Sequence, residues 1–154
     1  MVDNSSEYKT QSTRSTQRMI LNEVSGAIVD SAIEVHNALG PGRFENVYQE
    51  CLRFELQERG FKVFREVGLP VRYKFASIDL GYRIDLLVED RIIIELKAIH
   101  AIAPIHKVQL FTYLKLSGKE LGLLLNFNVK LMKQGITRII NSPSACSECS
   151  AFIS

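Results

Sequence analysis

Between about Arg18 and Leu39, the apolar residues Ile20, Val24, Ala27, Ile28, Ala32, Val35 and Leu39 recur at helical spacing. Glu23, Asp30, Glu34 and Asn37 take the other side, Gly40 caps the helix and Pro41 stops it. After Gly40-Pro41-Gly42, Val47, Tyr48, Cys51, Leu52 and Leu56 predict the inner stripe of a second helix, about Phe44–Arg59, closed by Gly60. Phe61–Glu66 and Leu69–Phe75 read as strands separated by Gly68-Leu69-Pro70, and Pro70 marks an edge or a bulge. Residues 76–81 turn the chain into a hairpin spanning 82–97. A third helix is expected from Pro104 to about Ser117, ended by Gly118 and apolar around most of its circumference, so that it packs between layers. Leu121–Phe127 is a continuous apolar strand, and a strand–helix–strand order makes it parallel to Ile92–Lys97 through a right-handed crossover. Residues 135–140 complete the sheet as an edge strand. The pattern predicts one α/β domain over 18–140: a mixed central sheet, two helices on one face and the crossover helix on the other. Polar residues 1–17 and 141–154 read as tails, the first expected to be mobile.

The 82–97 hairpin places charge where buried strands carry none: Asp85 in one strand, Glu95 and Lys97 in the other. Glu95 and Lys97 share a face by alternation. A two-residue turn at Glu89-Asp90 would put Asp85 on the opposite face. A three-residue loop, Glu89 to Arg91, pairs Val88 with Ile92 and sets Asp85 across from Glu95; this is the expected register, although the glycine favoured in such loops is missing. Two carboxylates at cross-strand distance repel unless a cation sits between them, and an all-oxygen site suits Mg²⁺ or Mn²⁺. Lys97 would then orient or deprotonate a water, or stabilise charge on a phosphate. The bland alternative is a solvated face with Glu95 paired to Lys97 and Asp85 to Arg83.

Asp85 with Glu95-Leu96-Lys97 resembles the D…ExK core of the PD-(D/E)XK nuclease superfamily. Gly42-Arg43-Phe44-Glu45-Asn46-Val47-Tyr48 is similar to the GxxExxY pattern that names one family within it, and the resemblance covers residues about 20 to 140. It implies a restriction-endonuclease-like fold and a metal-dependent phosphodiesterase acting on DNA. It also implies a metal shell of Glu45, Asp85, Glu95 and the Leu96 carbonyl, with Lys97 and Gln109 positioning the attacking water. Glu45 shares the inward face of Tyr48 and Leu52, although the helix dipole alone would explain a first-turn glutamate. Tyr48 reads as a core aromatic whose hydroxyl holds a carboxylate. His106, Gln109 and Tyr113 share one helix face, and the resembled family carries this H-x-x-Q-x-x-x-Y-L pattern; His106 and Tyr113 take supporting roles. His36, at the edge of its stripe, reads first as a hydrogen-bonded boundary histidine and second as a neighbour of the site. The competing reading is a module that keeps the nuclease fold and binds nucleic acid or a protein partner without turnover.

Composition adds limits. A chain of 154 residues with 46% hydrophobic residues has enough material for one packed core, and a formal charge of +2 does not by itself announce nucleic acid. No apolar run is long enough to span a membrane, and no secretory segment precedes Arg14. The odd cysteine count favours a reducing, intracellular and cytoplasmic setting. Cys51 reads as a core residue, and a lone Cys146-x-x-Cys149 is weak support for zinc. Lys130, Lys133 and Arg138 bias the C-terminal part toward basic, either solvating an edge or touching a phosphate backbone. No oligomeric state is legible in the residues.

Overall fold

The computed structural model describes residues 5–142, with the side chains of 13–79 and 81–142. Its elements are α1 (Ser5–Leu39), α2 (Glu45–Glu58), β1 (Val63–Tyr73), β2 (Ala76–Val88), β3 (Ile92–Lys97), α3 (Pro104–Ser117), β4 (Leu121–Asn126), a 3₁₀ turn at Met132–Gly135 and β5 (Ile136–Ile140). The strands form one sheet in the order β1-β2-β3-β4-β5, antiparallel except for the parallel β3–β4 pair. This is the expected mixed sheet, with the crossover helix between its two parallel strands.

Alternation along the strands sorts the core into two layers. Leu86, Val88, Ile92, Ile94, Leu96, Leu123 and Leu125 pack under α1 and α2, against Ile28, Ala32, Tyr48, Leu52 and Leu56. Leu87, Ile93 and Leu124 face α3 through Leu110, Tyr113 and Leu114. β3 and β4 are covered on both faces, which is why Ile92–Leu96 and Leu121–Phe127 are buried throughout and their sequences are apolar apart from Glu95 and Asn126.

Several expectations are corrected. The helix expected from about Arg18 begins at Ser5, so the polar Ser/Thr/Gln stretch is helical rather than irregular from there on; once a helix is nucleated by its packed part, propagation asks little of each added residue. Cys146 and Cys149 lie outside the described residues. The two strands expected around Gly68-Leu69-Pro70 are one strand, β1, and the turn expected at 76–81 is part of β2. Pro70 is accommodated because β1 is the sheet edge and the register shifts between Leu69 and Val71. Gly81 sits across from that shift, where a Cβ would collide with the Leu69 carbonyl oxygen. The crossover helix is not enclosed between layers: Ile105, Val108 and Leu116 are exposed. Val47 and Ile20, assigned to inner stripes, are also exposed. Among the described residues no helix is long and apolar enough to cross a membrane.

Candidate active site

The hairpin register decides the site. Val88 pairs with Ile92, Leu87 with Ile93 and Leu86 with Ile94, the pattern of the three-residue loop. Glu89 and Asp90 hold left-handed φ values of 53° without glycine. External bonds offset that strain: the Glu89 carboxylate accepts from the Lys62 amide, the Glu89 amide donates to the Lys62 carbonyl, and Asp90 pairs with Lys119 at 2.9 Å.

The β2–β3 pairing ends at Leu86–Ile94, and just beyond it the Asp85 and Glu95 carboxyls lie close enough to interact. The Asp85 Oδ2 accepts from the Leu96 amide at 2.9 Å. The Lys97 ammonium donates to Glu95 Oε1 at 2.9 Å. Glu95 is only 3% exposed, and its second oxygen, Oε2, is buried without a hydrogen-bond partner. The Glu95–Lys97 half of the bland alternative is therefore present but buried, while its Asp85–Arg83 half does not form.

Asp85 sits at a break in strand alternation. Leu86 and Val88 face α1 and α2, yet Ile84 lies with Leu87 in the α3 layer. Across from this break, Glu66 takes a left-handed φ of 52° between the Arg65–Leu86 and Val67–Ile84 pairs. The Gln49 amide of α2 donates to the Asp85 main-chain carbonyl at 3.0 Å and pins the kink. Glu66 also places a further negative charge near Asp85. Neither Gln49 nor Glu66 stands out in the sequence pattern. Gln49 follows Glu45 by four and shares its helix face, which is the signal that was there to use; Glu66 left none, because its position depends on the pairing of β1 with β2.

Glu45 is half-buried at the first turn of α2, near the Ala98 amide, Lys97, Asp85 and His106. Its placement explains the spacing of Gly42, Glu45 and Tyr48. Gly40 and Gly42 have φ of 67° and 90°, in the region where side chains are strained. The Tyr48 hydroxyl donates to the Gly40 carbonyl at 2.5 Å and accepts from the Arg43 amide at 3.1 Å. The tyrosine ring stacks on Phe127 at 4.4 Å. Tyr48 thus clasps the turn onto its own helix and fixes where α2 begins, and with it the direction of Glu45. This corrects the expectation that its hydroxyl holds a carboxylate. His36 takes its boundary reading: it is buried, and its Nε2 bonds the Val129 carbonyl at 2.8 Å.

On α3, Gln109 donates to the Tyr113 hydroxyl at 2.5 Å. Tyr113 lies close enough to Glu95, Asp85 and Lys97 to feel their charges. His106 Nδ1 accepts from the Ala103 amide at 3.0 Å and so closes the start of the helix. Buried Asn126, register partner of Lys97, bonds both the amide and the carbonyl of Ile99 and holds the loop after β3 in place. It too escapes a reading of the sequence, since a polar residue ending an apolar run looks like a strand end.

Burial dominates the electrostatics. It raises Glu95, with the neighbouring Asp85 charge adding to it and Lys97 opposing it, to a pKa of about 7. Burial also raises Asp85 and Glu45. For Lys97 burial acts downward, but the hydrogen bond and charge of Glu95, with Glu45 and Asp85, outweigh it and hold the ammonium above its ordinary value. Without a bound cation the lysine is firmly charged and the carboxylates compete for protons. Among the described residues, no group of three or more His, Cys, Asp or Glu is arranged to hold a metal. A groove of about 790 Å³ between α1 and the β5 edge is lined by none of these site residues.

No curated protein matches the chain. Among solved structures, an alkaline exonuclease (LHK-Exo) from Laribacter hongkongensis is similar, with 19% identity, a TM-score of 0.43, and coverage of 78% of this chain and 81% of that one. The family model of the PD-(D/E)XK nuclease superfamily matches residues 22–139, which hold the packed part of α1, all of α2 and α3, nearly the whole sheet and the Asp85, Glu95 and Lys97 positions. With its restriction-endonuclease-like α/β architecture, the chain belongs to the PD-(D/E)XK nuclease superfamily.

Proposed function

We propose that this protein is a divalent-metal-dependent nuclease hydrolysing phosphodiester bonds of DNA, of the GxxExxY type within its superfamily. One observation carries the reading: Glu95 Oε2 is buried with no amide or ammonium donating to it, and the Asp85 carboxyl lies against the same Glu95 group. A purely structural ion pair gains nothing from a dry, unused carboxylate oxygen, whereas a cation site needs one. The donors are hard oxygens, which fits Mg²⁺ or Mn²⁺. Asp85 and Glu95 would hold the ion, with Glu45 and the Leu96 carbonyl as the further protein oxygens. When bound, it would supply Lewis-acid stabilisation of the phosphoryl oxygens and a more acidic water. Lys97, held charged by Glu95, acts as a cation toward a non-bridging phosphate oxygen rather than as a base. The Gln109 amide, fixed by Tyr113, orients the attacking water. The Gly42–Tyr48 clasp that aims Glu45 supports the GxxExxY assignment.

The lack of a three-residue metal cluster among the described residues favours a second reading, a nuclease-fold module that holds nucleic acid or a protein partner without turnover. Mg²⁺ needs only one or two carboxylates when substrate phosphates and waters complete its shell, which is why the enzyme reading leads. Cleavage of mixed DNA and RNA substrates with and without Mg²⁺ or Mn²⁺ decides between them. The enzyme cleaves DNA only with metal. Lys97→Ala slows it by about 10²-fold or more with binding retained, and Glu95→Ala abolishes both cleavage and metal binding. Nucleic-acid binding without metal-dependent cleavage by the unmutated chain would favour the binding module.

A further inference from the structure

β3 supports β2 only from Leu86 to Val88, whereas β1 and β2 stay paired out to Tyr73–Ala76. The outer part of this hairpin is a two-stranded ribbon beyond the sheet, turning at Lys74-Phe75, and both of its faces are exposed at the tip. Its side chains are not those of a solvated loop. Phe75 is 106% exposed and Tyr73 61% exposed. Arg72 and Lys74 stand beside them, with the Lys74 ammonium 5.4 Å from the centre of the Tyr73 ring. Among the described residues, neither Arg72, Lys74 nor Arg83 is paired with a carboxylate. From Val71 to Arg83 these three cations face one anion, Asp79, so the ribbon alone carries a net charge equal to the +2 of the whole chain.

We propose that the ribbon tip, residues 71–77, grips double-stranded DNA by lying in the major groove about one helical turn from the Asp85–Glu95 site. This deepens the nuclease reading and rests on it for the presence of DNA at that site. The partner follows from charge, shape and distance. Unpaired cations interleaved with exposed aromatics match a polyanion with apolar base edges. A two-stranded ribbon fits the roughly 12 Å major groove of B-DNA, whereas the deep, narrow major groove of A-form RNA excludes it. At about 3.3 Å per residue, the stretch from Phe75 to Asp85 spans about 30 Å, close to the roughly 34 Å rise of a B-DNA turn. Arg72 and Lys74 take phosphates across the groove, and Phe75 makes the apolar contact, as toward a thymine methyl.

The test is binding of the full chain to a labelled duplex of about 30 base pairs by fluorescence anisotropy, in EDTA so that no cleavage is needed, over a salt series. Arg72→Ala/Lys74→Ala is expected to weaken binding by about 100-fold near 0.1 M salt and to make the log–log salt dependence shallower by about two. Phe75→Ala is expected to weaken binding several-fold with the slope unchanged. Unchanged affinity and slope on the long duplex would overturn the proposal. So would absence of duplex binding by the unmutated chain, or light scattering showing a dimer that the ribbon variants dissociate, since the ribbon would then hold a second copy. The nuclease reading fails separately: if the parent never cleaves with Mg²⁺ or Mn²⁺ but the binding shifts appear, the ribbon assignment stands alone.

Discussion

Glu95 makes this protein's stability respond to pH in the direction opposite to a salt-bridged carboxylate. Its folded-state pKa of about 7 lies above its ordinary 4.5, so the folded chain holds a proton that the unfolded chain has released. The resulting stabilisation is fully present below about pH 4.5 and is lost as pH rises through about 7. Its size is on the order of a few kcal/mol, since a tenfold difference in proton affinity between folded and unfolded chain is worth about 1.4 kcal/mol. Denaturant titrations of metal-free protein should therefore show stability falling between pH 5 and 7.5, roughly where the two values lie. Glu95→Gln should flatten that slope; a slope unchanged in the variant would place the titrating group elsewhere. Tyr48 gives the matching control. Its hydroxyl is tied to Gly40 and Arg43, not to the carboxylates. Tyr48→Phe should cost about 1 kcal/mol, the net worth of a part-buried hydrogen bond, and urea melts will read it. Cleavage per folded molecule should fall as well, through the loosened Glu45, but less than in Glu45→Ala; loss of activity without loss of stability would return Tyr48 to the catalytic group.

Among the elements, the loop after β3 is held by one side chain. Asn126 bonds Ile99 through both its amide groups and also accepts from the Asn128 amide. The Phe127 amide in turn donates to the Lys97 carbonyl. Asn126→Ala leaves part-buried backbone groups of Ile99 and Asn128 without their partner, at a cost of about 1–3 kcal/mol. Hydrogen exchange should rise first at Ile99 and Asn128, before the sheet opens. The kink in β2 is built the same way, from contacts between elements: a left-handed Glu66 on one side and the Gln49 amide on the other.

For the molecule as a whole, the close carboxylates mean that a bound cation relieves repulsion that folding creates. Metal binding should therefore raise thermal stability, by about 2.7 kcal/mol at a free concentration 100-fold above the dissociation constant. The rise should be larger at pH 8 than at pH 5.5, where protons occupy the raised carboxylates and compete with the ion. Calorimetry in Mg²⁺ or Mn²⁺ measures this. A gain that is equal at both pH values, or that survives Glu95→Ala, would locate the ion away from this site.

The residues alone determined the three helices, the parallel β3–β4 pair and the division of helices between faces, because periodicities of 3.6 and 2 are local properties of the chain, whereas β1 and the start of β2 were read as shorter pieces. Whether Asp85 meets Glu95 was a choice between two loop lengths in the residues, and the pairing of Val88 with Ile92 made it. Tertiary contacts decided the rest. Val47, Ile105 and Val108 are apolar at helical spacing, yet no element covers them. β1 runs through Pro70 because an edge position needs no amide there. Ser5–Gln17 is helical without an apolar period of its own. Tyr48 chose the Gly40 carbonyl over a carboxylate because the left-handed glycine turn brings that oxygen against its helix. Burial, which only the packed sheet and α3 create, leaves Glu95 Oε2 dry and raises the carboxylates, and so turns a motif in sequence into a site with a preferred charge.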